Sequence, residues 1–68
     1  MVTVVEMKKG NHIVRVVDHG SYTVIEGYGD NIWCPSIGWA IRYMNKEGYR
    51  SHRKYKEASD DQTVEKSE

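Results

Sequence analysis

Hydrophobic and polar positions along this chain follow two successive periods. From residue 2 to residue 26 the pattern is that of strands. "VTVVEMK" alternates loosely and is rich in β-branched residues, and "KKGN" then supplies turn chemistry. "HIVRVVD" is a second strand, nearly continuous in apolar residues. "DHGS" follows it, with His19-Gly20 suited to a two-residue hairpin turn. "YTVIEGYG" is a third strand, its end marked by Gly27 and Gly29. Short connections between such runs predict an antiparallel meander.

The period then lengthens. Ile37, Ala40, Ile41 and Met44 recur at helical spacing, with Trp33 one turn earlier, which is the apolar stripe of a helix lying on a sheet. Pro35 fits the first helical turn, Cys34 or Ser36 the cap, and Gly48 a left-handed stop, so the pattern predicts a helix over 35–47. Gly38 inside it costs ~1 kcal/mol relative to alanine, which implies a close packing contact that needs it. A fourth strand over Tyr49 to Tyr55 would place Tyr49, Ser51, Arg53 and Tyr55 on one face and Arg50, His52 and Lys54 on the other. Neither face is apolar enough for a central position, so this strand belongs at an edge if it pairs at all. The expected fold is therefore a small α+β domain over 1–58, a three-stranded meander followed by one packed helix (βββα) with that added edge strand. Residues 59–68, "SDDQTVEKSE" without its neighbouring Ala58, are polar and acidic and read as a disordered tail.

Length and charge narrow the class. A chain of 68 residues makes one domain that buries only ~60% of its unfolded surface, so burial supplied by a partner or by a second copy would add stability. One cysteine excludes an intrachain disulfide and suggests a reducing compartment. The N-terminal residues lack the apolar core of a signal peptide, and no apolar run approaches a membrane span. The expectation is a soluble cytoplasmic protein, with no membrane among its partners. Net charge is zero, yet it is segregated: residues 42–56 hold Arg42, Lys46, Arg50, Arg53, Lys54 and Lys56 against Glu47 alone, whereas residues 57–68 hold Glu57, Asp60, Asp61, Glu65 and Glu68 against Lys66. Such separation bears on partners rather than on fold.

Candidate chemistry is sparse. Trp33-Cys34-Pro35-Ser36 resembles the W-C-x-x-C entry of thioredoxin-like proteins, where a thiol at a helix N-terminus is activated. The second cysteine position holds Ile37, however, and a meander is not the βαβ opening of that fold, so Cys34 reads as a small buried hydrophobe. His12, His19 and His52 have no ligand spacing with Cys34. Gly27-Tyr28-Gly29 lacks the third glycine of a dinucleotide loop, since position 32 is Ile. The sequence predicts neither catalysis, nor a metal, nor a cofactor.

Aromatic content points to binding. Five Tyr and two Trp occur with no Phe, so every such ring carries a polar group, as suits half-wet positions and binding hot spots. Trp39 points off the helix stripe with Tyr43 one turn on, bordered by Arg42 and Lys46. The predicted binding surface is Trp39, Arg42, Tyr43, Tyr49, Arg50, Arg53, Lys54 and Tyr55. Two functions follow. The first is a non-enzymatic protein-binding module, a regulator or inhibitor of a partner protein, which homodimerisation could accompany. Small inhibitors encoded by mobile elements provide an analogy. The second is single-stranded or non-specific nucleic-acid binding by segment 42–56, whose cations would neutralise phosphates while Tyr43, Tyr49 and Tyr55 stack bases, with the acidic tail as a competitor.

Overall fold

The computed structural model describes residues 2–57, and the predicted acidic tail lies outside them. Strands β1 (Val2–Lys9), β2 (His12–Asp18), β3 (Thr23–Glu26) and β4 (Ile32–Cys34) precede helix α1 (Ile37–Lys46), and β5 (Arg50–Glu57) follows it. All five strands join one antiparallel sheet in the order β4-β3-β2-β1-β5. The α+β class, the meander, the single helix and the added edge strand are thus present, with one strand more than the sequence pattern indicates.

Alternation along the strands gives the sheet two different faces. Val5 and Met7 of β1 point to the helix side, as do their β2 partners Val16 and Val14 and, further across, Ile25. Ala40 and Met44 from α1 and the buried Cys34 and Tyr49 complete this core. Met7, Ile25 and Met44 are fully buried, each such side chain contributing ~1.5–3 kcal/mol. On the opposite, outer face Val2, Val4 and Val17 form a smaller cluster under the half-buried Tyr55.

The extra strand is β4, which replaces the helical turn expected around Trp33. The reason is Pro35: its ring disfavours helical geometry at the residue before it, so Cys34 stays extended and pairs with Thr23 while Trp33 pairs with Val24. Pro35 itself precedes the helix rather than opening it. Ser36 is the N-cap, in an extended conformation, and its Oγ accepts from the Trp39 N–H at 3.2 Å. The third strand is correspondingly shorter than expected. The β2–β3 connection is a four-residue loop rather than a two-residue turn, because Asp18 Oδ1 accepts from the Gly20 N–H and the His19 N–H bonds to the Tyr22 carbonyl.

Gly48 does stop the helix. At φ 100° it lets its own N–H reach the Asn45 carbonyl (3.0 Å) and the Tyr49 N–H reach the Met44 carbonyl (2.9 Å). This pair of bonds turns Tyr49 back beneath the helix, against Met44. Gly38, by contrast, has no close neighbour: a Cβ built there meets nothing within 4 Å. Since only backbone entropy and exposure remain, Gly38→Ala is expected to stabilise the domain by about 0.5–1 kcal/mol, read as a raised denaturant midpoint at unchanged slope.

Candidate binding surfaces

Helix α1 presents one flank to solvent. Trp39 is 39% exposed and stacks face to face on Tyr43, ring centres 5.4 Å apart and planes within 9°. With Arg42 and Lys46 these rings line an open depression of about 260 Å³. Neither cation lies in an ion pair among the described residues. Tyr43 is held from behind by an edge-on contact with Tyr28 (6.5 Å), whose hydroxyl donates to Glu47 at 2.9 Å. The stack is therefore supported on one side and open on the other.

The remaining predicted residues do not join that flank. Tyr49, expected at the surface, is only 5% exposed and packs edge-on against His12 and Tyr28; the bonds around Gly48 that end the helix are what bury it. Tyr55 and Arg53 lie on the outer face of the sheet, because β5 pairs Tyr55 with Val4 and Arg53 with Glu6. There Tyr55 donates to Glu6 at 3.0 Å, Arg53 lies over its ring at 4.6 Å and approaches Glu6 at 3.8 Å. Arg50 donates to the carbonyls of Asn45 and Tyr49, closing the helix end. Tyr43, Tyr49 and Tyr55 thus occupy the helix flank, the core and the outer face, and do not line a common groove.

On the outer face Arg15 bridges Glu57 (2.5 Å) and Glu26 (3.3 Å). Burial alone would lower its pKa, but the two carboxylates outweigh it and the net shift is upward. Burial, then the bond to Glu6, raises the Tyr55 phenol; the bond to Glu47, then burial, raises Tyr28. A raised folded-state pKa means that these bonds contribute fully below the ordinary phenol value of 10.0 and are lost as pH climbs through the folded value. Phenolate absorbance is accordingly expected to rise late for these two groups, and Tyr28→Phe with Tyr55→Phe should flatten the alkaline loss of thermal stability. Equal alkaline slopes in wild type and double variant would contradict the assignment.

One feature escapes the sequence pattern. Trp33, 67% exposed, stacks on Tyr22 (4.3 Å), which stacks in turn on His19 (4.7 Å); strand alternation through β4 was the available signal. Cys34 is buried beside Ile32, and burial pushes its thiol pKa up, the opposite of an activated nucleophile. No cluster of three His, Cys, Asp or Glu suited to a metal occurs among the described residues. Among them, too, no helix is long and apolar enough to cross a membrane. Compared with protein-family models, curated proteins and solved structures, the chain matches none.

Proposed function

We propose that this chain is a non-enzymatic module that docks onto another protein, as its regulator or inhibitor, through the outer flank of α1. The observation that carries this reading is the solvent-facing Trp39–Tyr43 stack framed by Arg42 and Lys46. Trp, Tyr and Arg are the residue types that dominate binding energy at protein interfaces, and they do so where rings enter a pocket inside a polar rim. A rigid, supported pair of rings loses little side-chain freedom on docking. The two cations suit a partner surface that carries carboxylates around an apolar recess, and they would speed its approach.

The same four side chains are also chemically suited to stacking one or two bases of a single strand, so the test separates the two. Capture from a lysate of the native host, with and without nuclease, is expected to retain one discrete protein in both cases, and Arg42→Glu with Lys46→Glu should abolish its retention. Recovery that disappears with nuclease, with affinity falling against salt at a log-log slope of roughly −3 to −4, would replace a protein partner by a nucleic acid.

A further inference from the structure

On the other side of α1, two positions round the helix from Trp39, Ile41 and Ile37 face a second groove of about 390 Å³ whose remaining walls are Val5 and the β5 segment from Ser51 to Lys54. Its floor is apolar. Its rim carries Lys54 and His52, while Arg53 contributes to the wall but turns its guanidinium to the outer face, and among the described residues no carboxylate lines it. The outer wall is a sheet edge, since among the described residues β5 pairs with β1 alone.

Register shows which backbone groups that edge offers. The two-residue turn at Gly10-Asn11 makes Lys9 and His12 a hydrogen-bonded pair, so odd-numbered residues of β1 bond to β2 and even-numbered ones to β5. The β5 partners of those even residues are Arg50, Arg53, Tyr55 and Glu57. The N–H and C=O groups of Lys54 and Lys56 are therefore directed away from β1, to the free edge. The opposite edge of the sheet, β4, is only three residues long, whereas β5 runs for eight. A long edge beside an apolar groove is the arrangement by which an extended segment adds a strand, with its alternate side chains entering the groove.

We infer that β5 and this groove bind an extended acidic segment of a partner protein, which adds antiparallel or parallel to the Lys54–Lys56 edge and sends every second, apolar side chain down against Ile37, Ile41 and Val5. Charge selects the occupant. Of the charged side chains on β5 all but Glu57 are cationic or histidine, so a second copy of the same edge is repelled, and an acidic strand is attracted. The class of partner follows the protein-binding reading above, but the site lies on the opposite flank of the helix and does not use Trp39.

The test uses the full chain and a fluorescein-labelled, acetylated peptide of alternating valine and glutamate, followed by anisotropy. Binding that weakens with salt is expected, together with new hydrogen-exchange protection at the Lys54 and Lys56 amides. Lys54→Pro removes an outward N–H without touching the ladder to β1 and should weaken binding at least ~10-fold, since strand addition relies on main-chain bonds. Methylating alternate peptide nitrogens on the pairing side should do the same, and reports on the edge whether or not the proline variant folds. Trp39→Ala should leave peptide affinity unchanged, so that failure of the helix-flank reading and failure of this one are distinct results. The inference is overturned by absence of peptide binding, by indifference to nitrogen methylation, by equal affinity for a valine-lysine peptide, by tighter binding of an oligothymidylate to the same groove, or by self-association through β5 that excludes the peptide.

Discussion

Tyr49→Ala is expected to unfold most of the population at ambient temperature. Tyr49 is sealed among Met44, His12 and Tyr28, and the Lys9 ammonium lies 6.0 Å from its ring centre. Removing an aromatic ring from such a position costs about 3–5 kcal/mol, the sum of lost transfer energy and the cavity left behind. A domain of this length stands near the lower end of the ~5–15 kcal/mol typical of native proteins, so little stability would remain. Two further losses add to the effect. The Tyr49 N–H bond to Met44 ends α1, and β5 begins at the next residue, so a loosened Tyr49 frees both elements. Tyr49→Phe keeps the ring and should restore nearly all stability. Urea unfolding followed by far-ultraviolet circular dichroism measures both; a Tyr49→Ala variant with a midpoint close to wild type would show that the ring is not part of the core.

Trp39→Ala should act in the opposite way, leaving the fold and removing the binding. The Trp39 side chain is substantially exposed and its principal contact is the stack on Tyr43, so the domain forfeits about 0.5–1.5 kcal/mol at most. If the helix flank is the docking surface, the partner complex forfeits at least ~2 kcal/mol, roughly a 30-fold rise in Kd. Tyr43→Ala is then expected to lose at least as much affinity, because Tyr43 supports Trp39 and would itself contact the partner. It should also lose more stability, because Tyr43 packs against Tyr28 and the core. Calorimetric titration against the captured partner, beside thermal melts, gives both quantities. Unchanged affinity in Trp39→Ala would place the interface elsewhere.

How far the sequence reveals this molecule depends on whether the determinant is local. The β-branched alternation of β1 and β2 and the helical spacing of Ile37, Ala40, Ile41 and Met44 are local patterns, and the elements they indicate are present. Gly48 likewise ends the helix as its position suggests. The bonds it permits carry a consequence that no periodicity displays: the chain reverses so tightly that Tyr49 is drawn under Met44. β4 is legible only through the steric effect of Pro35 on Cys34, which competes with an apolar spacing that fits a helix equally well. Arg53 and Tyr55 are assigned to a face by the register of β5 on β1, a pairing between segments nearly fifty residues apart, and the bulge that places His52 between Ser51 and Arg53 shifts the alternation expected for residues 49–55. The exposed helix flank was readable because Trp39 and Tyr43 are four residues apart on a helix whose core stripe is unambiguous.

The strand order has a further consequence for how the chain is assembled during translation. β1 is synthesised ahead of the other described strands and is paired on both sides, yet its second neighbour, β5, is the last element of the described fold. The hairpins β1–β2, β2–β3 and β3–β4 each close over a short loop, whereas seating β5 closes one that spans nearly the whole domain, at a cost in chain entropy that grows only logarithmically with its length. Until residue 57 is synthesised, β1 stands as a raw edge with Val2, Val4 and Glu6 unsatisfied on that side. The cationic strand that arrives last is then the lid on an aggregation hazard as well as a surface in its own right.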